Sequence, residues 1–146
     1  MAGSKHYALV EGSRGCNNNC IYCTQWGFWG GLCRAKSPKR IVDEIEYMHN
    51  QYGSEFIWLT DDNLGFGGRM EQICEGLIER KLSNEITWFI QARSDDIVNK
   101  KDLLLKMRSA GCNTSLIWSR WEGHLCPDLL DGANGFNAWL FRTMKS

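Results

Sequence analysis

The sequence predicts an α/β chain organised around a parallel sheet. Short apolar runs begin near residues 6, 55, 86 and 113. Each is separated from the next by one stretch whose apolar residues recur at helical spacing. None of these helical stripes fits a hairpin turn, so each strand reaches the next through a crossover, giving βαβαβαβ.

Residues 6–11 (HYALVE) read as the first strand. Residues 12–36 follow as a Gly-rich connection, too long for a structureless loop that serves no function. Ser37 then caps the first long helix, with Pro38 at the first helical position, where its missing N–H costs nothing. Ile41, Ile45, Met48 and Tyr52 form the apolar stripe, and Gly53 ends the helix in a left-handed conformation. Residues 55–60 (EFIWLT) are the second strand, so continuously apolar that both sheet faces are expected to be covered. That strand runs into Asp61-Asp62-Asn63. The second helix, 69–82, turns Met70, Ile73, Cys74, Leu77 and Ile78 inward. Residues 86–91 (ITWFIQ) form the third strand. Asn99 caps a third helix with Asp102 as its reciprocal partner. Leu103, Leu104, Met107 and Ala110 make its inner face, Gly111 stops it, and 113–118 (NTSLIW) is the fourth strand. Beyond Ser119 the periodicity fails. Residues 1–118 are read as one core, and 119–146 as an anomalous tail resembling a truncated or frameshifted reading frame.

Composition narrows the function. A chain of 146 residues is one domain with room for a real core. Its 17 basic and 17 acidic side chains cancel, which excludes a nucleic-acid binder working by broad phosphate neutralisation. No apolar run is long enough to span a membrane, and the first residues lack a secretory signal. Seven cysteines, an odd number with three of them crowded together, point to a reducing compartment and a metal site, with the cytoplasm as the expected location.

Those three are Cys16, Cys20 and Cys23, spaced C-x3-C-x2-C directly after the first strand. Three thiolates so spaced can converge on one soft metal centre and leave one coordination position open. The residues leave two readings: a [4Fe–4S] cube with one unique iron, or zinc completed by Cys33, His6, Cys126 or a partner in a structural or interaction module. An inactive fragment that holds no metal is the third.

The string SRGCNNNCIYCTQWGFWGG, with Tyr22 just before the third cysteine, resembles the signature of the radical S-adenosylmethionine superfamily. It is similar to the cobalamin-dependent subset related to anaerobic magnesium-protoporphyrin monomethyl ester cyclase. The similarity continues through DEIEYMHNQYG, Asp61-Asp62-Asn63 and KMRSAGC, covering about residues 7 to 117. It implies a partial TIM-like (βα)n barrel of the radical SAM type, with three βα units and a fourth strand present. It implies a [4Fe–4S] cluster on Cys16, Cys20 and Cys23, and S-adenosylmethionine bound with help from Tyr22, Asp62, Gln91 and Arg93. It further implies a small organic substrate undergoing methylation, cyclisation or rearrangement, and an electron donor such as a reductase, flavodoxin or ferredoxin. Cobalamin, where the full-length parent uses it, would bind a domain preceding residue 1. The fourth strand departs from the family in lacking the expected Gly-x-Glu-Ser sequence.

Other residues carry weaker signals. Trp26, Phe28 and Trp29, interleaved with glycines, either shield the cluster or simply pack the long loop onto the sheet rim. Cys74 and Cys112 read as core thiols. His49 is expected on the solvent side of its helix. Lys36, Lys39 and Arg40, with Arg34, read as a solvated helix start or as a site for an anionic substrate or an electron-donor protein. Gly65-Phe66-Gly67-Gly68 lacks a Walker lysine and reads as a rim loop.

Overall fold

The computed structural model describes residues 6–20, 23–63, 67–93 and 100–118, with backbone alone at 93 and 113–118. Six strands and four α-helices alternate along them. In order they are β1 (His6–Val10), β2 (Ser13–Arg14), α1 (Gln25–Trp29), β3 (Arg34–Ala35), α2 (Pro38–Tyr52), β4 (Ser54–Leu59), α3 (Gly68–Glu79), β5 (Thr87–Arg93), α4 (Lys101–Ser109) and β6 (Cys112–Trp118). A 3-10 turn, Leu82–Asn84, separates α3 from β5.

The main sheet runs β1-β4-β5-β6, with every pair parallel. Spatial order follows chain order without the reversal that defines a doubly wound sheet. The helices follow suit: α2 packs beside α3 and α3 beside α4, while α2 lies on β1 and β4. One face of the sheet is therefore helix-covered. Ala8, Val10, Ile57, Leu59, Trp88, Ile90 and Ala92 are buried there, beneath Ile41, Ile45, Met70, Ile73, Leu77, Leu103 and Met107. The Trp88 indole N–H is satisfied inside this core by the Ala110 carbonyl at 2.8 Å.

The alternate residues point to the other face. Tyr7 and Leu9 are exposed there, and Phe56, Trp58, Phe89 and Gln91 are half-buried. Its aromatic rings form a ladder across three strands: Tyr7 meets Phe56 edge-on at 5.3 Å, Phe56 meets Phe89 at 5.2 Å, and Trp58 stacks on Phe89 at 5.1 Å. Among the described residues, the apolar run of β4 thus has one helix-covered face and one aromatic face. Trp58 Nε1 is buried with no hydrogen-bond partner among the described residues.

The α2 caps match the expectation. Ser37 Oγ accepts the Arg40 N–H, Pro38 leads the helix, and Gly53 adopts φ +62°. Tyr52 and Ile78, expected inward, are exposed at the edges of their stripes. Tyr52 instead meets Tyr47 on the surface. At α4 the N-cap is Lys100, without a side-chain bond, and the expected Asn99 cap lies outside the described residues. Helix ends are the least determined part of a periodic pattern. The tail 119–146 also lies outside the described residues.

His49, expected on the solvent side of its helix, is half-buried and partnered. Its Nδ1 donates to the Ser54 carbonyl at 3.0 Å, and its Nε2 sits 2.7 Å from Glu85, tying the end of α2 to the entry of β5. The basic run is also partnered: Lys36 and Arg40 both pair with Glu44, and Lys39 with Asp43. Arg80 from α3 reaches Asp43 and Glu46 at 2.6 Å each, joining the two helices through a charge network.

Candidate metal centre

The connection from β1 to α2 carries structure of its own, which corrects its reading as one long loop. The two-residue strands β2 and β3 pair antiparallel, Ser13 with Ala35 and Arg14 with Arg34, and close its base. Helix α1 occupies its middle and ends at Gly30, φ +63°. Two glycines make this fold possible by close approach. A Cβ on Gly15 (φ +83°) would lie 2.2 Å from the Leu32 carbonyl oxygen and 3.1 Å from the Trp29 ring. One on Gly31 (φ +69°) would lie 2.8 Å from Trp26 Nε1. The two tryptophans therefore pack the cysteine loop onto itself, whereas Phe28 is exposed and only touches Trp29 edge-on at 5.0 Å.

A set of bonds that the sequence did not reveal anchors this loop to the sheet. Asp61, just past β4 and 1% exposed, accepts the Gly12 N–H through Oδ1 and the Ser13 hydroxyl through Oδ2, both at 2.6 Å. The Gly12 carbonyl in turn accepts the Lys36 N–H at 2.8 Å and Arg69 Nη2 at 2.6 Å. Arg69 Nε also reaches the Lys36 carbonyl at 3.2 Å. The two ends of the loop are thus fastened to each other and to α3 at one peptide group. The only hint in the sequence was the pair of carboxylates closing the second strand. Asp61, the more buried, is committed to this anchor; Asp62 is half-buried beside it.

Within the loop, Cys16 and Cys20 are half-buried and Cys23 is exposed. The Cys23 N–H bonds the Cys20 carbonyl at 3.0 Å, closing a turn between those two cysteines. Cys16 Sγ receives two donors from one residue: the Asn18 backbone N–H and Asn18 Nδ2, each at 3.4 Å. Among the described residues no three His, Cys, Asp or Glu side chains form a ready-made coordination set. The donor chemistry nevertheless suits a soft centre, because residues 12–36 hold four cysteines and no Asp, Glu or His. Cys33 is exposed beyond α1. Cys74 is a different kind of thiol: burial pushes it up to about 12, an inert core position.

Of the other expected site residues, Gln91 stands on the aromatic face of β5, two residues inside the strand and not at its end. Of Arg93 only the backbone, at the end of β5, lies among the described residues. Tyr22 falls outside the described residues, as does much of the Gly-rich stretch before α3, of which Gly67 caps that helix. The loops at 11–36 and 60–63 share the carboxyl-terminal edge of the sheet. A cavity of about 300 Å³ lies at the opposite edge, lined by residues such as Ser83, Glu85 and Arg108, and plays no part in this site.

The radical SAM superfamily profile matches residues 10–117. The anaerobic magnesium-protoporphyrin IX monomethyl ester cyclase of Cereibacter sphaeroides is 36% identical over 105 residues, 71% of this chain and 17% of that protein. The cyclase of the same name from Synechocystis is 34% identical over 116 residues, 79% of this chain and 23% of that protein. Cytidylyl-2-hydroxyethylphosphonate methyltransferase of Streptomyces wedmorensis is 38% identical over 52 residues, 36% of this chain and 10% of that protein. The chain spans about a fifth of the length of the two cyclases. With the match extending from β1 to β6 through every crossover, this chain belongs to the radical SAM superfamily, whose members use a [4Fe–4S] cluster and S-adenosylmethionine.

Proposed function

We infer that Cys16, Cys20 and Cys23 ligate a [4Fe–4S] cluster and that S-adenosylmethionine binds along the carboxyl-terminal edge of the sheet. The observation that carries this reading is the soft-donor loop held at that edge by Asp61 and Arg69. Ligands of parallel barrels collect at this edge, and the sequential, singly wound sheet supports reading the chain as part of a (βα)n barrel. Residues 1–118 are assigned to the amino-terminal part of that core, and 119–146 to the anomalous stretch that follows it in sequence. Asp62 reaches the cofactor from the end of β4, Gln91 and Arg93 from β5, and Tyr22 from within the cysteine motif. When bound, the cluster supplies one electron to the sulfonium of S-adenosylmethionine. The protein's own task is to orient the cofactor and keep water from the reacting centre. The aromatic face, with a Trp58 N–H that has no partner among the described residues, is the wall against which an organic substrate lies. Methylation, cyclisation or rearrangement of that substrate is the reaction of the whole protein, fed by a flavodoxin, ferredoxin or reductase in the cytoplasm. Among the described residues, no helix is long and apolar enough to cross a membrane.

Anaerobic reconstitution with iron and sulfide tests this. About four irons and four sulfides per chain, and an EPR spectrum of the reduced protein that changes on adding S-adenosylmethionine, are expected. Zinc without sulfide, or a full cube retained in Cys20→Ala, overturns it.

A further inference from the structure

Among the described residues, two hydrogen bonds reach the Cys16 sulfur. Asn18 supplies both, one from its backbone N–H and one from Nδ2. The carboxamide is turned so that its NH2, not its oxygen, faces the sulfur, the orientation a thiolate requires because its lone pairs repel the amide oxygen. The bonds are half-buried, where such interactions are electrostatically stronger than in water. An N–H aimed at a thiolate withdraws electron density from it. In a cluster it favours the reduced state, which carries one more negative charge, and so raises the reduction potential. The two flanking asparagines, Asn17 and Asn19, are exposed on the same loop.

We propose that Asn18 is a positioning residue that sets the cluster's reduction potential, its side-chain amide holding the Cys16 sulfur and stabilising the added electron. This rests on the cluster assignment made above. Its backbone donor survives any substitution except proline, so the side-chain contribution can be removed alone.

The test is an EPR-monitored redox titration of the reconstituted full chain in four forms: parent, Asn18→Ala, Asn18→Asp and Asn17→Ala. Asn18→Ala is expected to keep full iron and sulfide and to titrate at a more negative midpoint. Asn18→Asp, which places a carboxylate beside the sulfur, is expected to move further in the same direction. Asn17→Ala should match the parent. Equal midpoints in parent and Asn18→Ala overturn the proposal, as does an equal shift in Asn17→Ala. Should Asn18→Ala hold no cluster, pulsed EPR of the parent with ¹⁵N in the asparagine side-chain amides decides. Hyperfine coupling from a side-chain nitrogen to the cluster is expected, and its absence overturns the proposal. A parent that assembles no iron–sulfur cluster instead refutes the cluster assignment itself, so the two failures are distinguishable.

Discussion

Replacing Asp61 should loosen the cysteine loop before it damages the sheet. The carboxylate accepts two hydrogen bonds at 2.6 Å in a site that is 1% exposed. Hydrogen bonds to a charged group contribute roughly 1.5–3 kcal/mol each, and a buried donor left without an acceptor adds its desolvation cost. In Asp61→Ala the Gly12 N–H loses its acceptor while the Ser13 hydroxyl can rotate elsewhere, so about 3–5 kcal/mol should be lost. Asp61→Asn is the informative contrast. Its carbonyl oxygen can keep the Gly12 N–H, and its NH2 can donate to the Ser13 oxygen, so only charge assistance disappears and the cost falls to about 1–2 kcal/mol. Urea unfolding followed by tryptophan fluorescence measures both, and iron uptake under limiting sulfide reports whether the loop still gathers its ligands. A domain of this size has about 5–15 kcal/mol in total, so Asp61→Ala should remain folded in the cold but take up iron poorly. An alanine variant as stable as the parent, or an asparagine variant as damaged as the alanine one, would refute the anchor as drawn.

Cys16→Ala, Cys20→Ala and Cys23→Ala should each abolish the cube, while Cys74→Ala keeps full iron and sulfide; loss of iron in the Cys74 variant would show that the core thiol had been misjudged. Alkylation of the native chain mapped by mass spectrometry should label exposed Cys33 and leave Cys74 unmodified until denaturant is added, since burial pushes Cys74 up to about 12. Gly15→Ala places a Cβ on the Leu32 carbonyl and in a left-handed backbone region, costing about 1–3 kcal/mol or more; trypsin should then cut the loop at Arg34 faster than in the parent. The Asp43–Glu44 network gives an acid dependence. Hydrogen bonds from Lys39 and Arg80 hold Asp43 below its usual 3.8, and although burial pushes Glu44 up, Lys36 and Arg40 bring it below 4.5. The unfolded chain therefore takes up protons first, so this stability is present above about pH 4.5 and drains as pH falls through the lowered native values. The double variant Asp43→Asn with Glu44→Gln should flatten the loss of thermal stability between pH 5 and pH 3, and an unchanged slope counts against the network.

Much of this fold could be read from spacing. Ser37-Pro38 and Gly53 bound α2 because capping chemistry is local, and the stripes of Met70, Ile73, Cys74 and Leu77 gave the inner face of α3 for the same reason. What escaped the sequence depends on residues far apart along the chain. The link from Asp61 to Gly12 crosses 49 positions and that from Arg69 to Gly12 crosses 57. No periodicity encodes such pairs; they follow from parallel strands bringing successive carboxyl ends to one edge. His49 was misplaced for a similar cause: its position on the helix suggests solvent, but Glu85 arrives from another crossover. The β4 run misled in a different way, since aromatic residues look equally apolar whether helices or other rings cover them. The proposed ligation by Cys16, Cys20 and Cys23 still rests on their spacing, which limits what three thiolates in one loop can do.

Fastening both ends of the cysteine segment at the Gly12 peptide also separates the segment's length from the stability of the sheet. Residues inserted or deleted between Gly15 and Arg34 change a closed ring whose exit and entry points stay in place, so the strands beyond it need not shift. Lengthening such a ring is thermodynamically mild, about 0.6 kcal/mol for each doubling of a flexible loop. The segment can thus be exchanged for a longer or shorter one, as a cartridge in a fixed socket, without retuning the helices that cover the opposite face.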